Sequence, residues 1–363
     1  MIIFVYGTTA EAIKLAPVMR RLQERGVPFE QWVTQQHTEA LRTAIPQLGL
    51  PTPDRVIADG WRGRPLTSPL QMVGWMGTVA AWTLRNLRSE RRRHRRHGVV
   101  VVHGDTVTTV LGTVIGRLLG LPVAHVEAGL RSGDWRHPFP EELDRRIVGR
   151  LASVHYAPSD QAVANLRGRR NVVATHGNTV RDAVRDAASS APAPELRDRG
   201  LVLLHRYEFI SQPTLVLDTL RLLDAHSPVP LDIIVDSYSR ETVASTIADA
   251  GLSRLTVAPK LEHSAFVALL QSARFIVTDS GGIQEEAAVH GVPTLIHRRA
   301  TERSDGLGSS AVLSGWNPDV VRAFLGDPDR FRVVDPPFGA SPSDIVVADL
   351  IERGFGSSPK AES

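Results

Sequence analysis

The chain contains no cysteine. Disulfides, thiolate metal sites and a cysteine nucleophile are therefore excluded. Lysine is almost missing too: Lys14, Lys260 and Lys360 stand against an arginine-rich remainder, which reads as codon bias rather than function. No apolar run approaches the roughly 20 residues that span a bilayer. The opening Met1–Tyr6 is apolar for a few residues only and runs straight into Gly7, without the basic start and long apolar core of a signal peptide. Low-complexity sequence is confined to Gly354–Ser363. The expectation is a cytoplasmic protein with no membrane partner.

What remains is globular in character. With 363 residues the chain is too long for one ordinary core and implies two domains. Its 42% hydrophobic and 22% charged residues suffice for packed interiors with solvated surfaces. The net charge is +3. The densest basic stretch, Arg85–His97, has no interleaved aromatics. It reads as a solvated helix end leading into a strand, not as a nucleic-acid surface.

Strand and helix signals alternate along the whole chain. Strands are expected at Ile2–Tyr6, Phe29–Thr34, Val99–Val102, Pro122–Val126, Val154–Ala157 and Val172–Ala174. Helices are expected at Glu11–Arg25 and Thr109–Leu119. The four consecutive valines at 99–102 mark a strand buried on both faces. A second half repeats the style, with strands at Leu201–Leu204, Leu231–Val235, Leu255–Val257, Phe275–Thr278 and Pro293–Ile296. Its helices are expected at Pro213–Ala225, Thr242–Ala250, Ser264–Ser272 and Gln284–His290. The Ala/Ser/Pro-rich stretch Arg185–Arg199 reads as the join. The pattern is α/β: two doubly wound domains with a cleft between them, whose ligands sit outside the carboxyl ends of the strands.

The strand ends are therefore the places to search for chemistry. Gly7-Thr8-Thr9-Ala10-Glu11 opens a helix and offers a turn that could receive an anion, although it is not a GxGxxG fingerprint. Asp105 and Glu127 end two buried strands, and Glu141 follows on a proline-rich loop. Such carboxylates suit acid/base work when their environments separate their pKa values. The plainer reading pairs Glu127 and Glu141 with Arg131 and Arg145. Thr278-Asp279-Ser280-Gly281-Gly282 can lay backbone N–H groups and a hydroxyl on a phosphate, with Glu286 one turn further along. His205 and Arg206 end another strand of the second half. Trp61, Trp75 and Trp82 read as packing residues. No ligand cluster shows metal spacing around His103 and Asp105.

Seven motifs run in order along the chain: GTTAEAIKLAP (7–17), HGDT (103–106), HVEAGLRSGD (125–134), PFPEELDRR (138–146), GNTVRDA (177–183), TDSGGIQEEA (278–287) and TER (301–303). On these the sequence resembles the bacterial, non-hydrolysing UDP-N-acetylglucosamine 2-epimerase family. The resemblance implies two Rossmann-like domains of the glycosyltransferase-B type with an interdomain cleft. Residues 1–180 would carry the catalytic carboxylates and 181–340 the nucleotide. A helix near Pro342–Ile351, within 341–363, would pack back on the first domain. It implies Asp105, Glu127, Glu141 and His205 as catalytic residues. Lys14, Arg145, Ser280, Gly281, Gly282 and Glu286 would bind substrate or nucleotide; beside them, Thr8 of the first turn and Arg131 and Arg206, as repositioned arginines, are read as further binding residues. Gln36 and His37 fall where family members place a regulatory sugar-nucleotide site.

The implied reaction is epimerisation at C2 of a UDP-hexosamine by elimination and re-addition of UDP. It needs no metal and no redox cofactor. A homodimer and no nucleic-acid partner are also implied. The chain departs from the family pattern at Thr9, where the family has an arginine, and at Tyr207 and Tyr238. The altered diphosphate cradle leaves three alternatives beside epimerisation: a hydrolysing 2-epimerase, a glycosyltransferase-like enzyme on another donor, and a nucleotide-sugar sensor without turnover.

Overall fold

The computed structural model describes all residues except 37, 67, 95–97, 133–139, 189–194, 236–239, 260, 262, 302, 304, 335–338 and 357–363. His37, Pro138, Phe139, Tyr238 and Glu302, each singled out above, lie outside the described residues. The chain divides into two compact units: Met1–Ala183 with Gly339–Ser363, and Val184–Phe338.

The first unit is built on β1 (Ile2–Tyr6), α1 (Thr9–Glu24), β2 (Phe29–Val33), α2 (Thr38–Gln47), β3 (Arg55–Val56), α3 (Pro69–His94) and β4 (Val99–His103). Then come α4 (Val107–Leu119), β5 (Val123–Val126), α5 (Glu141–Leu151), β6 (Val154–Ala157), α6 (Asp160–Asn165) and β7 (Val172–Ala174). Helix α7 (Val180–Ala188) carries the chain across the boundary of the units. Among the described residues the strands form one parallel seven-stranded sheet in the order β3-β2-β1-β4-β5-β6-β7. The order reverses between β1 and β4, which makes that point the crevice where doubly wound sheets bind ligands.

At its centre the sheet is apolar on both faces because helices cover both, and Val99 to Val102 are all fully buried. Helix α4 lies close on β1 and β4. A Cβ at Gly112 would sit 2.9 Å from side-chain carbons of Val5 and of Val102. Its N-terminus is set by Thr106, whose hydroxyl accepts from the Thr109 N–H in a reciprocal cap. His125 and His155 face each other across β5 and β6, both buried.

Helix α14 (Pro342–Glu352) belongs to the first unit and packs on α1. Val346, Val347 and Leu350 are fully buried in the same core as Ile2, Phe4 and Leu15. Ser341 caps this helix, the Ser343 N–H donates to Asp182 Oδ2 at 2.7 Å, and Tyr156 Oη donates to Asp349 Oδ2 at 2.8 Å.

The second unit comprises β8 (Gly200–Leu203), α8 (Tyr207–Ile210), α9 (Pro213–His226), β9 (Leu231–Ile234), α10 (Arg240–Asp249), β10 (Leu255–Ala258) and α11 (His263–Ser272). It continues through β11 (Ile276–Thr278), α12 (Gly281–Val289), β12 (Thr294–Ile296), β13 (Ala311–Leu313) and α13 (Pro318–Gly326). Its parallel sheet runs β10-β9-β8-β11-β12-β13, so the reversal falls between β8 and β11. The two sheets thus share one plan. The expected join at 185–199 is corrected at its start: residues 185–188 finish α7, because the polar/apolar spacing of Val180–Ala188 continues through them.

Candidate active site

In the first unit, the turn after β1 is closed on itself. Thr8 is the N-cap of α1, and Glu11 completes a capping box. Glu11 Oε2 accepts from the Gly7 N–H at 3.0 Å and from the Thr8 N–H at 2.9 Å. The donors expected to receive an anion at this turn therefore already serve Glu11. Thr106 Oγ1, from the turn after β4, donates to Glu11 Oε1 at 2.7 Å. One buried carboxylate thus ties together the two turns that flank the switch point. Burial pushes Glu11 above its ordinary pKa, against hydrogen bonds from Gly7, Thr106 and Thr8 that favour the charged form.

Lys14 lies one turn along α1. Its Nζ donates to Glu127 Oε2 at 2.7 Å. Glu127 ends β5 at φ 66°, a left-handed backbone that a non-glycine residue adopts at a cost and that clusters at functional sites. Its other oxygen, Oε1, accepts from an Arg145 Nη at 3.0 Å. The same Arg145 nitrogen lies 2.5 Å from Asp105 Oδ2. A single buried guanidinium therefore bridges the carboxylates at the ends of β4 and β5. The Asn178 amide also donates to Glu127 Oε2. His103 Nε2 stands 3.8 Å from that oxygen, and burial drives this imidazole down to about 3, so it is neutral. His125 is likewise held near 3 by burial, with its Nε2 2.8 Å from the Gly104 carbonyl oxygen in the turn that presents Asp105.

Glu141 is not on a loop. It is the first residue of α5, following Pro140, and one turn before Arg145. Its Oε2 is buried without a hydrogen-bond partner among the described residues. Asp144 shares that helix face. Burial, then the charges of Asp105 and Glu141, raise its pKa to about 7. Arg131 stands apart from this set: its Nη1 donates to the Leu130 carbonyl at 2.7 Å and its Nε lies 3.9 Å from Glu142. The plain pairing of Glu127 with Arg145 is present, whereas Arg131 pairs with Glu142 rather than with Glu127 or Glu141.

In the second unit, His205 and Arg206 leave β8. Their backbone N–H groups donate to Asp279 at the end of β11, at 3.0 and 2.9 Å to Oδ2. His205 Nδ1 is 3.5 Å from Asp279 Oδ1, and the imidazole is largely exposed. Burial raises the pKa of Asp279, while His205 and the two N–H donors oppose the rise. Helix α12 then starts at Gly281, with Ser280 as an N-cap whose side chain makes no capping bond. A Cβ at Gly282 would meet only Ser280 Oγ, at 3.9 Å, so the backbone at this helix start is open to a bulky anion. Glu286 is buried one turn further along. Gln284 and Glu285 hold Arg303 and Asp305: Gln284 Nε2 donates to the Arg303 and Asp305 carbonyls at 3.2 and 2.9 Å, and Glu285 pairs with Arg303.

Lys14, Asp105, Glu127 and Arg145 therefore form one bonded cluster with Glu141 adjacent. His205, Arg206, Ser280, Gly281 and Gly282 gather around Asp279. Sequence reading missed Glu11, Asn178, Asp144 and Asp279. A signal existed for Glu11, since Thr8-x-x-Glu11 is the capping-box spacing. Asn178 and Asp279 sat inside motifs without an assigned role. Among the described residues no group of three His, Cys, Asp or Glu side chains could hold a metal ion, and no helix is long and apolar enough to cross a membrane.

Residues 20–326 match the family model described as UDP-N-acetylglucosamine 2-epimerase. The UDP-N-acetylglucosamine 2-epimerase of Bacillus subtilis is 31% identical over 353 residues, covering 90% of this chain and 88% of the relative. The probable UDP-N-acetylglucosamine 2-epimerase of Ralstonia solanacearum is 29% identical, covering 98% and 99%. The crystal structure of UDP-GlcNAc 2-epimerase from Neisseria meningitidis bound to UDP-GlcNAc is similar with a TM-score of 0.78 at 25% identity, covering 97% of this chain and 99% of that one. The S. aureus MnaA–UDP structure gives 0.77 at 27% identity, covering 99% and 98%. With two doubly wound units of the glycosyltransferase-B type and a family match across most of its length, the chain belongs to the UDP-N-acetylglucosamine 2-epimerase family.

Proposed function

We propose that this protein is an isomerase that inverts C2 of a UDP-hexosamine of the UDP-GlcNAc/UDP-ManNAc type. The observation that carries the reading is the bridged carboxylate pair, Asp105–Arg145–Glu127, at the switch point of a chain in this family. The relatives' substrate, UDP-GlcNAc, supplies the identity of the donor.

The chemistry follows from the groups. The C2 proton of a sugar is not acidic, so its removal must be coupled to departure of UDP from C1, with charge stabilised on the leaving diphosphate. Glu127, with Lys14 and Asn178 on one oxygen and Arg145 on the other, is saturated with donors. It anchors the cations and is a poor proton carrier. Asp105 and Glu141 are the carboxylates left to move protons. Ser280, Gly281 and Gly282 hold the diphosphate at the start of α12, Glu286 accepts from the ribose, and His205, oriented by Asp279, attends the leaving group. Arg206 completes the binding set, Thr8 fixes the turn after β1 through its bonds to Glu11, and Arg131 acts through Glu142. The first unit supplies proton transfer and the second supplies nucleotide binding.

The reading includes a cytoplasmic homodimer. Helix α3 carries a row of outward apolar side chains, with Leu70 84%, Val73 60% and Leu84 71% exposed, which a second copy would cover. Light scattering after gel filtration tests it: a monomer at micromolar concentration overturns the dimer.

The activity is tested by proton NMR of the protein with UDP-GlcNAc in deuterated water. Deuterium entering C2 with a manno nucleotide product is expected. Free UDP and free sugar as the only products would make the enzyme hydrolysing. No exchange, together with no binding by calorimetry, would overturn UDP-GlcNAc as the substrate.

A further inference from the structure

We propose that Asp144 is the proton store of the site, a carboxylic acid that exchanges its proton with Asp105 and Glu141 between the two halves of C2 inversion. The proposal rests on the epimerase reading above and adds a residue and a step to it.

Three observations support it. Asp144 is 7% exposed, and its Oδ2 is buried without a hydrogen-bond partner among the described residues. A buried carboxylate oxygen without a donor is costly unless it carries the proton itself. Asp144 also lies three residues after Glu141 and one before Arg145, so α5 presents Glu141, Asp144 and Arg145 on one face. The charges that bear on it are Asp105, from the turn after β4, and Glu141, from its own helix. Arg145 is the nearest cation in sequence, but its guanidinium is engaged by Asp105 and Glu127. Helix α4 and strand β5 pack against α5; α4 buries only uncharged residues, and β5 brings the buried His125, which burial keeps neutral. Like charges nearby and burial act together to keep Asp144 neutral up to about pH 7.

The chemistry of the reaction gives such a group work to do. Inversion removes a proton from one face of C2 and delivers one to the other. If two different carboxylates do this, one ends each turnover with an extra proton and the other ends one short. The imbalance must be reset without net gain or loss. Asp144 can give its proton to the deficient carboxylate and take the surplus from the other, so that no proton or electron is left over. It acts through Asp105 and Glu141 and need not touch the sugar.

The test has two arms. The first uses the intact, ligand-free protein labelled with ¹³C at aspartate carboxyls, titrated by NMR. One aspartate titrating near pH 7 is expected. Its signal should vanish in Asp144→Asn and move to lower pH in Asp105→Asn, which removes a like charge. The second variant keeps the test open if the first fails to fold. No aspartate assigned to Asp144 titrating above pH 6 overturns the proposal. The second arm measures turnover. Asp144→Asn should lower kcat about 100-fold, the scale of a lost acid/base group, with KM little changed. The pH profile should lose its limb near 7. Wild-type kcat and pH profile in Asp144→Asn, alongside C2 exchange in the unsubstituted enzyme, overturn this proposal alone. Absence of exchange in the unsubstituted enzyme overturns the epimerase reading first.

Discussion

Arg145 is where the charge balance of the first unit converges. It serves two carboxylates from one nitrogen, and both come from strand ends that the sheet holds rigidly. A lysine in its place would be a point charge without the planar fork. Arg145→Lys should therefore leave the fold intact by circular dichroism but lower kcat about 100-fold. Arg145→Met should do more, because removing one partner leaves buried carboxylates uncompensated at a cost of about 3–5 kcal/mol. Thermal unfolding separates the two effects. A lysine variant with full activity would show that the bridge is structural only.

At the scale of elements, the close seating of α4 is the feature to test. Gly112→Ala places a methyl group 2.9 Å from Val5 and Val102, both on rigid central strands. The expected loss is about 1–3 kcal/mol, read as a lower midpoint in urea. Activity should fall as well, because the same helix carries the Thr106 cap beside Asp105. The elements themselves were largely legible in the sequence. Central strands such as Val99–His103 announce themselves because both faces are buried. The two-residue edge strand β3 carries too few residues to show a period. Helix α3 was legible only at its basic end, because Gly74 and Gly77 interrupt its first half. Trp75 is buried with its Nε1 donating to the Thr34 carbonyl at 2.8 Å, Trp82 meets Trp32 edge-on, and Trp61 covers Gly74. Within the site, strand-end carboxylates were legible because topology points them at the crevice. Asp144 and Asn178 were not, because their roles depend on which charges the fold brings beside them.

For the whole molecule, the histidines set the response to acid. Burial lowers His103 and His125 to about 3 and His155 to about 4 in the first unit, and His290 and His297 to about 4 in the second. Each is neutral when folded and gains a proton more readily when unfolded, at its ordinary value of 6.5. Their contribution is complete above pH 6.5 and is lost as pH falls toward 3–4. Asp144 works in the opposite sense, since its raised pKa favours the folded state below about 7. Glu11 and Asp279, which burial also raises, work with it, three carboxyls against five imidazoles. The melting temperature should therefore decline steeply between pH 6 and pH 4. A flat profile across that window would show that these histidines reach water.

The return of α14 to the first unit has a consequence for how the protein is made. Val346, Val347 and Leu350 complete a core whose other members lie between Ile2 and Tyr156. The second unit has all its strands synthesised before the first can close. During translation the earlier-made unit must wait, with the α1 surface that will receive α14 uncovered, while the later-made one is free to fold. Order of synthesis and order of completion are thus reversed. The vulnerable interval for aggregation or proteolysis falls on the half that carries the proton-transfer groups.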